Sequence, residues 1–172
     1  MKLGLIFLYT GSGGGKTTNA FGLALRCIGH GLNAIVIQFM KGNKEIGEYK
    51  VKDRLAPELE VYQFGGEKWI NLQNPSQEDK RLAEEGLAFA RKILTEKRPS
   101  LLVLDEINLA TRIGLLKVED ILDLLDKVGE ETDVVLTGRH APPELVDRAD
   151  VVNVIFEVKA PDKLYTKLGI TH

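Results

Sequence analysis

The chain of 172 residues is 44% hydrophobic and 28% charged, the balance of one globular domain spanning residues 1–172 with a substantial core. A formal net charge of −2 and a pI near 6.0 give no overall basic field, which argues against nucleic-acid binding as the main activity. Cys27 is the only cysteine, so an intrachain disulfide and a cysteine-built zinc site are excluded, and a reducing cytoplasm is the expected setting.

The apolar stretch LGLIFLY (3–9) is too short to span a bilayer and leads straight into a glycine-rich loop, so it reads as a core strand and not a targeting signal. After that loop, TTNAFGLALRCIGHG (17–31) repeats apolar residues at helical spacing, and Gly29 and Gly31 can end the helix. NAIVIQF (33–39) is the second strand. From Met40 to Asn74 the chain is irregular apart from the short strand LEVYQF (59–64). Long loops in compact α/β domains are functional or mobile, so a second substrate is expected there. SQEDKRLAEEGLAFARKILTEK (76–97) is the next helix, with Asn74 or Ser76 as N-cap and Pro75 near its first turn. LLVLD (101–105), the helix KVEDILDLLDKVGEE (117–131), DVVLTG (133–138), the helix PPELVDRAD (142–150) and VVNVIFEV (151–158) complete the pattern. The strands are nearly continuous runs of Val, Ile and Leu, as strands covered on both faces should be. The prediction is an α/β fold, a mainly parallel sheet of about six strands flanked by helices.

Three motifs carry chemistry. In TGSGGGKTT, residues Gly15, Lys16 and Thr17 fit the end of a G-x-x-x-x-G-K-[ST] phosphate-binding loop, while Thr10 stands where the first Gly is expected. Glycines let the backbone turn tightly and bring its N–H groups to the anion. Lys16 supplies an ammonium for the outer phosphates, Thr17 a hydroxyl for Mg²⁺, and the following helix its positive N-terminus. The bland alternative, a flexible turn with a solvated Lys16, lacks the strand before and the helix after. LLVLDEIN ends an apolar strand in Asp105 and Glu106, at the sheet edge where open α/β sheets bind ligands, so either can help hold Mg²⁺. Arg139 follows a strand through Thr137 and Gly138, and it can contact phosphate in a bidentate way or pair with a carboxylate such as Asp147. His30, His140 and His172 read as helix-end, turn and terminal residues. The residues alone describe a nucleoside triphosphate site and leave open attack by water or an acceptor at the γ-phosphorus, or by a nucleophile at the ribose C5′.

The chain resembles the P-loop ATP:corrinoid adenosyltransferases in YTGSGGGKTTNAFGLALRCIGHG, IQFMKG with the later Gly47 and Glu48, LLVLDEIN followed by GLL, and VVLTGRHAPPELVDRADVV. That family also has Thr where other phosphate loops have their first Gly. The resemblance implies a RecA-like domain, a homodimer, and transfer of the adenosyl group of ATP to the reduced cobalt of a corrinoid, with triphosphate leaving. It implies that Thr10, Gly11, Ser12, Gly13, Gly14, Gly15, Lys16, Thr17 and Thr18, with Lys41 and Trp69, bind the substrates. Lys16 and Arg139 would act in catalysis, and Thr17 with Asp105 or Glu106 would organise Mg²⁺. A flavoprotein would supply the reductant. Two positions depart from the family: Glu67 stands in GEKW where it has Phe, and Ala160 where it has His. The competing expectation is a P-loop ATPase or nucleotide-gated binding module that acts without a corrinoid.

Overall fold

The computed structural model describes residues 4–68, 70–161 and 167–170. Six strands, β1 (Ile6–Thr10), β2 (Ala34–Phe39), β3 (Leu59–Phe64), β4 (Leu101–Asp105), β5 (Asp133–Thr137) and β6 (Val151–Val154), form one sheet in the order β3-β2-β4-β5-β1-β6. Every neighbouring pair is parallel. The helices are α1 (Lys16–Ile28), α2 (Gly47–Lys50), α3 (Gln77–Glu96), α4 (Ile107–Arg112), α5 (Val118–Leu125) and α6 (Pro143–Arg148).

Successive residues of a strand face opposite sides of the sheet, and two cores follow from that period. Ile6, Leu8, Ile35, Ile37, Leu102, Leu104, Val134 and Leu136 pack against side chains of α3, α4, α5 and α6. Their alternates Tyr9, Ala34, Val36, Val103 and Val135 pack beneath α1, which offers the fully buried Ala20 and Ala24. Small residues on that helix face let α1 lie close to the sheet and bring its N-terminus over the strand ends. Ser76 caps α3: its hydroxyl accepts from Asp79 N at 3.1 Å, while the Asp79 carboxylate accepts from Ser76 N at 2.8 Å. Gly31, at φ 74, supplies the left-handed residue that terminates the α1 region.

The structure departs from the sequence pattern in three places. β6 is four residues long and exposed along its length, an edge strand and not a strand covered on both faces; an apolar run does not record its position in the sheet order. α4 was not foreseen, because its six residues make less than two full turns of periodic signal. The stretch between β2 and β3 also holds α2 and a 3₁₀ turn at Val51–Arg54. Among the described residues no helix is long and apolar enough to cross a membrane.

Candidate functional site

The loop from β1 to α1 is bent by its glycines. Gly11 has φ 103, and a Cβ there would lie 2.1 Å from the Ile155 carbonyl oxygen, so only glycine lets the chain beyond β6 cross this closely. Gly13 N donates to that same oxygen at 2.9 Å, and Ile155 N donates to Thr10 O at 2.8 Å. Among the described residues the amides of Gly14, Gly15, Lys16 and Thr17 donate to no protein acceptor. Open amides at a helix N-terminus make an anion cradle. Ser12, Gly14, Gly15 and Thr18 are exposed around it. Lys16 is buried in the loop, its ammonium donating to the Gly11 carbonyl at 2.9 Å and to that of Gly13. Burial, and then the Arg139 charge, lower its pKa.

β4 and β1 are separated in the sheet by β5, and the Asp105 side chain reaches across that gap. Asp105 is fully buried. Its Oδ1 accepts from Thr17 Oγ1 at 2.8 Å and from Thr137 Oγ1 at 2.7 Å; its Oδ2 accepts from Lys41 Nζ at 2.8 Å and from Gln38 Nε2 at 3.1 Å. Burial pushes the carboxyl pKa up, but the Lys41 charge and these hydrogen bonds outweigh it and hold the group below its ordinary value. Lys41 shows the reciprocal balance: burial opposes its charge and Asp105 more than restores it. Gln38 is held in turn by Gln63 Nε2, which donates to Gln38 Oε1 at 3.0 Å and to the Asn43 carbonyl at 3.1 Å. Glu106 has left-handed backbone at φ 64, and its N–H donates to Thr137 Oγ1 at 3.0 Å. Burial first, and the neighbouring Asp105 second, raise its pKa against the pull of Lys41, Lys16 and Arg139.

Arg139 is exposed on the turn after β5. Among the described residues it makes no ion pair with Asp147 or any other carboxylate, and its charge acts on Lys16 and Glu106. The turn is tied to the phosphate loop twice. Ala141 N donates to Thr10 Oγ1 at 3.3 Å, which gives the threonine in the place of the first loop glycine a structural partner. Buried Asn108 donates from Nδ2 to the carbonyls of Tyr9 and Gly138, both at 3.3 Å. Gly138, at φ 134, permits the approach, since a Cβ there would meet Leu109 N at 2.9 Å.

Beside the loop opens a cavity of about 610 Å³. Its walls come from Thr17, Thr18 and Phe21 of the α1 region, from Met40 to Glu48 after β2, from Gly66 to Lys68 after β3, and from Gly169 and Ile170. The irregular stretch between β2 and β3 therefore does border the phosphate loop, and Lys41 and Glu67 are both on the cavity wall. Trp69 lies outside the described residues, and Ala160 is exposed. Gln38, Gln63, Thr137 and Asn108 were not foreseen. Gln38 alone left a signal, as the one polar side chain in the apolar run AIVIQF.

Among the described residues no group of three or more His, Cys, Asp or Glu could hold a metal ion. The Thr17 hydroxyl and Asp105 carboxylate are hard oxygen donors of the kind Mg²⁺ takes, and the open amides next to them would bring phosphate oxygens to the same place. This donor set fits the ion in company with a nucleotide.

Among solved structures, a KaiC-like protein from Pyrococcus horikoshii superposes with a TM-score of 0.53 at 15% identity, and the flagellar accessory protein FlaH from Methanocaldococcus jannaschii with 0.55 at 11%; each match covers 88% of this chain and 70% of the other. These likenesses show the RecA-like P-loop fold. A corrinoid adenosyltransferase from a Sinorhizobium species is 33% identical over 159 residues, 92% of this chain and 74% of the relative. One from Pseudomonas aeruginosa is 34% identical over 156 residues, 91% and 76% of the two chains. The corrinoid adenosyltransferase CobA of Salmonella typhimurium is 32% identical over 157 residues, 91% and 78%. The sequence pattern of the family described as ATP:corrinoid adenosyltransferase BtuR/CobO/CobP runs through residues 2–170, and the chain belongs to that family of transferases.

Proposed function

We propose that this protein transfers the 5′-deoxyadenosyl group of ATP to the cobalt of cob(I)alamin and releases inorganic triphosphate, in the making or salvage of adenosylcobalamin. The observation that carries this is a shared wall: Thr17, Thr18 and Lys41 border both the amide-lined phosphate loop and the 610 Å³ cavity, so a second, larger substrate would meet the nucleotide there. The cobalt(I) electron pair forms the Co–C5′ bond as the C5′–O5′ bond breaks, and the bond electrons leave with triphosphate. Such a nucleophile needs no general base, which leaves the protein two tasks: to hold the reactants in line and to stabilise charge on the leaving group.

The residues divide those tasks. The amides of Gly14 to Thr17 bind phosphate oxygens, Lys16 exchanges its loop carbonyls for the polyphosphate, and Arg139, whose charge already acts on Lys16 from the turn after β5, helps neutralise the departing charge. Thr17 and Asp105, with Glu106 beside them, would hold Mg²⁺, which adds positive charge to the leaving triphosphate when bound. Trp69 would meet the corrin. Residues 1–172 act as one nucleotide-binding domain in the cytoplasm, a flavoprotein supplies the reductant, and two copies form a homodimer. Val154 at the end of β6 and Phe156 beyond it, at 64% and 67% exposure, are apolar surface such a pairing could cover.

Product analysis is the test. With ATP, Mg²⁺ and chemically reduced cobalamin, adenosylcobalamin and triphosphate are expected in equal amounts. Corrinoid-dependent formation of ADP and phosphate, without a cobalt–carbon product, would refute the proposal.

A further inference from the structure

The Asp105 carboxylate has no spare acceptor capacity. Two hydroxyls on Oδ1, an amide and an ammonium on Oδ2 fill the roughly four lone-pair sites such a group offers. The ammonium does more than pair with it. At 2.8 Å from Asp105 Oδ2 and 3.2 Å from Thr17 Oγ1, Lys41 Nζ touches both side chains assigned above to Mg²⁺. The Thr17 hydroxyl gives its proton to Asp105, so the lone pair a metal needs is the one that faces Lys41. Two cations held by the same two oxygens would repel strongly in partly buried surroundings.

Building on the assignment of Thr17 and Asp105 to the metal, we propose that Lys41 is a resident counter-cation: its ammonium fills the divalent-cation seat in the free protein and yields it when metal and nucleotide bind, turning into the adjoining cavity. Of the donors on Asp105 Oδ2, Lys41 is the one able to leave. Gln38 is fully buried in β2 and held by Gln63, whereas the Lys41 side chain is 25% exposed and lines the cavity. A receiving carboxylate stands on the same wall. Glu48 borders the cavity, and its negative charge already acts on Lys41. A resident cation also removes the penalty of a buried, unpaired carboxylate, which is severe, and keeps the Asp105 cluster assembled before the nucleotide arrives. One consequence is order: the cavity gains the Lys41 positive charge only after metal and nucleotide are seated, so the second substrate meets a completed wall.

The experiment compares ATP binding by calorimetry in EDTA and in Mg²⁺, for wild type and Lys41→Gln, without corrinoid. A lysine that merely contacts phosphate would, when lost, weaken ATP binding in both conditions, with Mg²⁺ as well as without it. A resident cation behaves differently: its loss weakens metal-free binding but removes the displacement that Mg²⁺ binding requires. In Lys41→Gln the Mg²⁺ dissociation constant is therefore expected to stay equal or fall while the metal-free one rises, so that their ratio rises at least tenfold; a weaker Mg²⁺ complex overturns the proposal. An unchanged or smaller ratio overturns the proposal, and wild type that fails to bind ATP in either condition overturns the nucleotide site itself. Should Lys41→Gln not fold, acylation of lysines in the wild-type protein, read by mass spectrometry, decides. Lys41 should react several-fold faster with Mg²⁺ and ATP present than in the free protein, while Lys16, already buried in the loop, stays unreactive in both. Equal or slower reaction at Lys41 overturns the proposal.

Discussion

Replacing Asp105 with Ala removes the acceptor on which four donors converge, and the loss can be worked out from their burial. Gln38 Nε2 and Thr137 Oγ1 belong to fully buried residues; leaving each without this partner costs about 1–2 kcal/mol. Thr17 and Lys41 are partly exposed, and Lys41 can turn into the cavity, so together they add about 1 kcal/mol. The sum, about 3–5 kcal/mol, matches what breaking a buried ion pair costs. Asp105→Asn should behave differently. With its amide flipped, the oxygen still accepts from Gln38 and Lys41 while the nitrogen donates to a threonine hydroxyl, so mainly the charge is lost, at about 1–2 kcal/mol. Urea unfolding of the nucleotide-free protein in EDTA measures both, and a chain of this size should lose roughly 6–20 °C in Tm for the Ala variant. A loss below about 1 kcal/mol in Asp105→Ala would mean that the cluster is not formed as described. Equal losses in Ala and Asn would mean that charge, and not the number of hydrogen bonds, dominates.

Lys16→Ala should cost about 2–4 kcal/mol of transition-state stabilisation, roughly a thirtyfold to thousandfold loss in kcat, with a folded protein by circular dichroism; wild-type activity would place the reaction elsewhere. Glu60, far from the site, pairs with Lys97 Nζ at 2.6 Å and accepts from the Tyr62 hydroxyl. Burial raises its pKa, but these partners outweigh it and hold the group below its ordinary 4.5. Its contribution is therefore fully present above that pH and lost as pH falls through the depressed value. Glu60→Gln should cost less than about 1 kcal/mol at pH 7, because the pair is partly solvated, and the difference in urea midpoint from wild type should shrink steadily as pH is lowered below the ordinary 4.5; a difference that stays constant or grows on acidification would contradict the pairing.

The parts of the site that were legible in the sequence are those set by local spacing. A phosphate loop needs a strand, glycines at fixed offsets and a helix, all within twenty residues, and GSGGGKTT states them in order. Asp105 was legible because an acidic residue that closes an apolar strand falls at the ligand edge of a parallel sheet. Thr137 was not, since a threonine in a strand is ordinary, and only the placement of β5 between β1 and β4 turns its hydroxyl toward Asp105. Asn108 and Gln63 were hidden for the same reason: their partners are 99 and 25 residues away, and no periodicity connects them. The cavity depends on the start of α1, two loops and the C-terminal segment meeting, a fact of topology that no single stretch records. β6 shows the converse limit, where a hydrophobic run correctly signals a strand but not whether anything covers it.

The free site is electrostatically self-contained, and that bears on how it can discriminate among ligands. Lys16 is turned back onto the carbonyls of its own loop, and Lys41 onto Asp105, so neither ammonium projects freely toward an incoming anion. Arg139 on the turn after β5 and Lys68 on the cavity wall are exposed and without a carboxylate partner among the described residues. The loop amides are open, but an anion that is to engage either lysine must first replace internal hydrogen bonds of comparable strength, and a ligand with a single phosphate cannot reach the loop amides, Lys16 and the Asp105 seat together. A polyphosphate with its metal can, because it exchanges all of these contacts at once. Self-pairing lowers affinity for every anion, but it lowers it least for the ligand that satisfies every released group, and this is how one short loop and two lysines can favour a nucleoside triphosphate over the simpler phosphates around it.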